Sequence, residues 1–189
     1  FFRTMIFLPC TTSLVAYSII FRSLFANNGL VNYVLVNLGI LDKPYNFLTQ
    51  PFAAKMVILL GLLWRWTGYN MVFFLSGLQN IEYSVYEAAK IDGASAIQTF
   101  FKITVPLLKP TILLTAIMST NGTLQLFDES VNLTDGGPAN ASISMSHYIY
   151  NLCFKYVPNF GYAAAMSFFI LLLVAVLAFI QMRVGDKRD

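Results

Sequence analysis

Polar side chains set inside apolar runs are where this chain could do chemistry. Arg65 stands between Trp64 and Trp66, and Tyr69 and Asn70 follow on the same run, while Asn121, Gly122 and Gln125 lie in another. A guanidinium at mid-bilayer costs about 2.5–3.5 kcal/mol on the insertion scale, so it must face a bundle interior or a wet cavity, or snorkel. Its indole neighbours cannot accept from its five donors. Asn121 and Gln125 are four apart and share a helix face. Amides and hydroxyls beside aromatic faces match a sugar, whose hydroxyls need polar partners and whose C–H surface needs an apolar wall; Tyr69, Asn121 and Gln125 supply such a set. The same groups also suit hydrogen bonds between helices, worth about 0.6 kcal/mol on average. That simpler account is preferred for Asn70.

No catalytic constellation accompanies these residues. His147 stands alone, no metal-ligand cluster is visible, and Cys10 and Cys153 make no disulfide framework. Asp128 and Glu129 form the one close acidic pair, at a place after an apolar run that suits a loop turn as well as a catalytic site. No G-x-x-x-x-G-K-[ST] occurs, so the phosphate-cradling loop of an ATPase is absent.

The elements that must position these groups follow from composition. The chain is 57% hydrophobic and only 11% charged, against about 25% charged in a soluble domain. It cannot cover its surface with polar groups and must use lipid as solvent. A net charge of +3 without a basic, aromatic-interleaved cluster excludes nucleic acid as a partner. Crossing the hydrocarbon layer takes about 20 mostly apolar residues, and four stretches qualify: 5–25, 52–78, 107–127 and 161–182. The first is softened by Thr11, Thr12, Ser13 and Ser18; in the last, only Ser167 is polar from 163 to 180. A segment at 30–40 is too short to span and belongs at the interface or against the bundle. After the turn at Gly136-Gly137-Pro138, residues 143–156 predict an interfacial helix with Tyr148, Tyr150, Phe154 and Tyr156 at the depth aromatic residues favour. The expected fold is all-α, a polytopic membrane helix bundle. The chain opens on Phe1 and runs at once into an apolar stretch, so it reads as a fragment lacking its amino-terminal part.

Between the second and third spans, residues 79–106 form a charged insert that has to lie in water. Ile81, Val85, Ala88 and Ala89 recur at helical spacing. Ser84 and Glu87 have capping-box spacing, which predicts a helix start there, and Gly93 suits a left-handed helix end. Ser95 and Gln98 repeat the box and predict a second helix through Phe100, Phe101 and Ile103 towards Pro106 and Pro110. An amphipathic hairpin resting on the membrane is one reading. Alanines in place of bulky residues, with Glu87 and Asp92 unsuited to anionic lipid, favour a protein partner. If the insert is cytoplasmic, that side also holds Arg3, Lys90, Lys102, Lys109, Arg183, Lys187 and Arg188, against Arg22, Lys43, Lys55 and Lys155 opposite. This agrees with the positive-inside rule.

Glu87-Ala88-Ala89, Asp92-Gly93-Ala94, Phe100, Ile103 and Pro106 resemble the EAA loop of ATP-binding-cassette importer permeases. The form is similar to the binding-protein-dependent sugar permeases of the larger-maltose-subunit type. Phe2-Arg3-Thr4 through Leu8-Pro9, Gly68-Tyr69-Asn70, Gly77-Leu78-Gln79, Leu133 through Pro138 and Phe160 through Ala163 match as well, so the resemblance covers essentially the whole chain. It implies a single permease domain over 1–189, with four of an expected six spans present, in the cytoplasmic membrane with insert and carboxyl tail inside. It implies as partners a second, related permease, two ATPase subunits that use the ATP, an extracytoplasmic solute-binding protein and a sugar. Carried across by position, Glu87, Ala88, Ala89, Asp92, Gly93 and Ala94 would dock the ATPase, with Gly93 at the turn and Glu87 making polar contacts. Tyr69, Asn70, Asn121, Gly122 and Gln125 are the candidates for the substrate path. No cofactor, metal or catalytic residue is expected. The rival readings are a membrane-embedded transferase, a secondary carrier, which would bury acidic residues for ion coupling, and a permease of the same family for a non-sugar cargo such as a glycerol phosphate.

Overall fold

A computed structural model describes residues 1–185, and the regular structure among them is helical throughout. The first apolar stretch is not one unbroken helix. Helix α1 (Phe2–Thr11) contains Pro9 and ends where Thr11 Oγ1 donates to Leu8 O and Thr12 Oγ1 to Pro9 O, at 2.8 and 2.7 Å. Helix α2 (Leu14–Leu24) restarts after Ser13 at 104° to α1. Hydroxyls that bond nearby carbonyls give the backbone an alternative to the helix; here Thr11, Thr12 and Ser13 mark a corner.

Helix α3 (Leu30–Asn37) is short, as expected. It is pinned by Asn32, which is 1% exposed; its amide donates to Ala26 O and Tyr45 O and its oxygen accepts from Tyr45 N. Helix α4 (Pro51–Gln79) is the long spine, opened by a proline at the position where its missing N–H costs nothing. Its glycines admit close neighbours. Gly61 lies under the Tyr17 ring, Gly68 against the backbone of Ile6 and Phe7, and Gly77 against Leu108 and Thr111.

The insert then forms α5 (Tyr83–Ile91), α6 (Ala96–Thr99), a π-helical stretch (Phe100–Thr104) and α7 (Val105–Leu107). At Leu108 the path bends by 64° into α8 (Lys109–Leu124). A π-helical segment (Ser130–Thr134), α9 (Met145–Tyr150) and a further π-helical segment (Asn151–Lys155) fill the connection to α10 (Phe160–Gly185). The aromatic helix expected at 143–156 is this α9 with its π-helical continuation.

Two helices, α4 and α10, are long and apolar enough to cross a membrane unbroken, and the α1–α2 and α6–α8 pairs qualify only as bent spans. Two of the four expected spans are thus straight helices, and the other two count as spans only as bent pairs, the second of which takes in residues 96–106 of the insert beyond the expected 107–127. Helices α8 and α10 run antiparallel: Gly185 lies against Leu113, and Gln181 Nε2 donates to Thr120 Oγ1 at 2.8 Å. The carboxyl end of α10, with Arg183 in its last turn, thus sits at the insert's end of the bundle. Lys187 and Arg188 lie outside the described residues. The core, Tyr17, Phe21, Val57, Ile58 and Leu133, gathers towards the opposite end. Elsewhere large apolar side chains face outward, as on α10, where Phe168, Leu172 and Phe179 are each more than 60% exposed. Such an outer face belongs in lipid, not water.

Candidate functional site

The insert is a helix, a glycine turn and a second helix. Gly93 has φ +74°, the left-handed region that glycine enters without strain, and open space lies where its Cβ would be. The Ser95 box forms in full, with Ser95 N donating to Gln98 Oε1 at 2.9 Å and Gln98 N to Ser95 Oγ at 3.3 Å. The box at Ser84 does not form. Helix α5 starts earlier, with Glu82 at its cap position, and Ser84 Oγ donates instead to Glu82 Oε2. Tyr86 Oη and Thr104 Oγ1, 3.3 Å apart, tie the two arms together. Of the candidate docking residues Ala89 is buried and Ala94 half-buried, whereas Glu87, Ala88, Asp92 and Gly93 are exposed. Apolar Ile91, Ile97 and Phe101 stand exposed around them. The insert is thus internally braced and presents acid, small and apolar groups together.

The candidate path residues divide between two cavities. Asn121 and Gln125 are joined by a 2.8 Å hydrogen bond, Gln125 Nε2 to Asn121 Oδ1. They line an open cavity of about 630 Å³ with Ser146, Ser167 and apolar residues of α10. Tyr69 lines another, of about 310 Å³, with Cys10, Arg65 and Trp66. Gly122 lies between these groups: a Cβ there would come within 2.8 Å of the Trp66 indole, which packs edge-on to Tyr69 at 5.4 Å. Gly122 is therefore a spacer that lets Trp66 reach α8. Asn70 lines neither cavity.

Arg65 points inward, and its partner is a residue whose place in the sequence suits a loop turn as well as a catalytic site. Arg65 Nη1 lies 3.7 Å from Glu129 Oε1, and the Glu129 side chain is only 6% exposed. Trp64 meanwhile packs on Tyr17 and Phe21, at 6.2 and 5.6 Å between ring centres. The signal was present in Arg65 itself, because a cation inside a span requires a counter-charge. An acidic pair that closely follows the next span is the nearest source.

The lone histidine is also better placed than its sequence context implied. His147 is 1% exposed, with Nδ1 2.8 Å from Ser130 Oγ, and Ser130 Oγ donates to Ser142 O. Its Nε2 faces Asp135 Oδ1 at 3.9 Å, and Asp135 is paired at 2.7 Å with Lys155. Burial holds the His147 pKa below its ordinary value, opposed by Asp135. The hydrogen bond to Asp135 raises that of Lys155. Ser130 and His147 are both sealed from solvent, so the arrangement braces the loop and gives no substrate access to a nucleophile. Among the described residues no cluster could hold a metal ion.

Residues 1–188 match the family described as binding-protein-dependent transport system inner membrane component. The lactose transport system permease protein LacF of Rhizobium radiobacter is 56% identical over 189 residues, which are 99% of this chain and 63% of that protein. The arabinooligosaccharides transport system permease protein AraP of Bacillus subtilis (strain 168) is 33% identical over 98% of this chain and 59% of its own length. Among solved structures, a bacterial ABC transporter involved in the import of the acidic polysaccharide alginate superposes with a TM-score of 0.87 at 24% identity, over 97% of this chain and 64% of that one. The chain thus spans about three fifths of the length of the relatives it matches. From the match over its whole described length, the chain belongs to the family of inner membrane components of binding-protein-dependent transport systems.

Proposed function

We propose that the full-length protein is a permease subunit of an ATP-driven, solute-binding-protein-dependent importer, forming part of the path for a sugar or oligosaccharide across the cytoplasmic membrane. The observation that carries this reading is the braced insert between two apolar segments, with a glycine turn at Gly93 and exposed Glu87 and Asp92 beside it. In that reading 79–106 is a cytoplasmic coupling loop, and Glu87, Ala88, Ala89, Asp92, Gly93 and Ala94 dock one of two ATPase subunits. A second related permease completes the path. Cargo comes from a solute-binding protein, in keeping with the alginate transporter solved in complex with its pentasaccharide-bound periplasmic protein, whose permease fold this chain shares at 25% identity and a TM-score of 0.78. Tyr69, Asn121 and Gln125 line the path, and Gly122 sets its width. The likeness to a lactose permease makes lactose the first cargo to try.

The test is Gly93→Trp in the full-length protein. The space around Gly93 is open within this chain, so the indole meets nothing there until a partner docks, and the left-handed backbone adds about 1–2 kcal/mol of local strain. The variant is expected to insert into membranes at the normal level and to lose most of the ATPase that co-purifies with the wild type. Recovery of the ATPase at wild-type yield contradicts the docking role.

A further inference from the structure

Arg65 is neutralised without being used up. Its one ion-pair partner among the described residues, Glu129, stands at 3.7 Å, beyond hydrogen-bond length, and no other side chain or carbonyl accepts from it. The guanidinium has five donors in a planar fork, and it lines an open cavity of about 310 Å³ with Cys10, Trp66 and Tyr69. That volume falls at the lower end of ligand pockets, about 300–1,000 Å³. The aromatic wall is held in place, because Trp66 abuts Gly122 on one side and Tyr69 on the other. A fork of free donors beside a fixed aromatic wall matches a ring with adjacent hydroxyls and a C–H face. The charge balance narrows the choice further. A lone arginine would draw carboxylates, since bidentate pairing with them is its strongest interaction. Glu129 cancels that attraction. Asp128 beside it is half-buried and makes no ion pair among the described residues.

We propose that Arg65 is a sugar-binding residue, donating to the hydroxyls of a neutral ring seated against Trp66 and Tyr69, and that Glu129 sets specificity by denying the site to acidic sugars. This rests on the sugar-import reading. The two residues then divide the work: Arg65 supplies the contact, and Glu129 supplies the discrimination.

The experiment uses the complete transporter, purified in lipid nanodiscs, with labelled lactose displaced by unlabelled lactose or by lactobionate. Wild type should favour lactose. Glu129→Gln should shift the lactobionate-to-lactose affinity ratio towards the anion by about tenfold or more, as expected for one uncompensated charge a few ångströms away at an effective dielectric constant near 20. If that variant does not assemble, Arg65→Met with Glu129→Leu decides, because replacing both partners with apolar side chains leaves no unpaired charge behind. The double variant should assemble at wild-type yield and bind lactose about tenfold more weakly. An unchanged ratio in Glu129→Gln, or wild-type lactose affinity in the double variant, overturns the proposal and leaves the pair a structural clamp. Failure of the wild-type complex to bind lactose strikes at the lactose-import reading as well, whereas loss of either effect with wild-type binding intact overturns the subsite alone.

Discussion

At the scale of single residues, charge inside an apolar fold is the most informative quantity. Arg65 was legible as a group that had to turn inward or snorkel, because its cost in hydrocarbon leaves few alternatives, and the structure turns it inward. Glu129 was not legible, since its partner lies far away in sequence and only the packing of the Ser130–Thr134 segment against α2 and α4 brings them together. His147 was misjudged for a similar reason. In sequence it sits in a polar loop; in the structure it is sealed between Ser130, Phe127 and Asp135. Its buried ring has a pKa below the unfolded value, with Asp135 and Lys155 the charged groups facing it. As pH falls through about 6.5 the unfolded chain takes up the proton first, so stability declines from there down to the folded pKa. We expect the thermal midpoint in detergent to fall between pH 7.5 and 5.5. His147→Gln should lose most of that dependence. An equal drop in both proteins would show that other groups govern it.

Among the elements, those defined by apolarity alone were the readable ones. The stretches at 52–78 and 161–182 became Pro51–Gln79 and Phe160–Gly185, within a turn at each end. Breaks were harder to read, because Thr11, Thr12 and Ser13 fit inside a helix as readily as they end one, and only α1 packing on α4 beside Gly68 decides. The insert shows both outcomes. Its turn at Gly93 and its second capping box were fixed by local chemistry, whereas Ser84 lost its cap role once Glu82 took that position. Asn32 was not singled out at all, although it fastens α3 to the loop through three bonds of 2.8–3.0 Å. Asn32→Leu strips the partners from Ala26 O, Tyr45 O and Tyr45 N. It should destabilise the protein by about 2–3 kcal/mol, or about 4–12 °C in the thermal midpoint. A midpoint within a degree of wild type would contradict the clamp.

For the molecule as a whole, the distribution of surface types is the argument. Helix α10 exposes apolar residues over the whole of its face away from α8 and α9, and the residues of the core are few and gathered at one end. At the other end stand the braced insert and the last turn of α10 with Arg183. Such a molecule is lipid-facing around its middle and carries a surface of acidic, small and apolar groups at one end. The candidate path was legible only in its parts: Tyr69 is half-buried and the Asn121–Gln125 pair is exposed, and they open into different cavities with Trp66 and Gly122 between them. Sequence spacing could place Asn121 and Gln125 on one face; it could not show which cavity that face lines. The most direct test of the transport account is uptake of radiolabelled lactose by cells carrying the full-length gene with its partner genes, compared with cells lacking this gene alone. The account predicts energy-dependent accumulation that disappears with the deletion and returns on complementation; undiminished accumulation without the gene would contradict it.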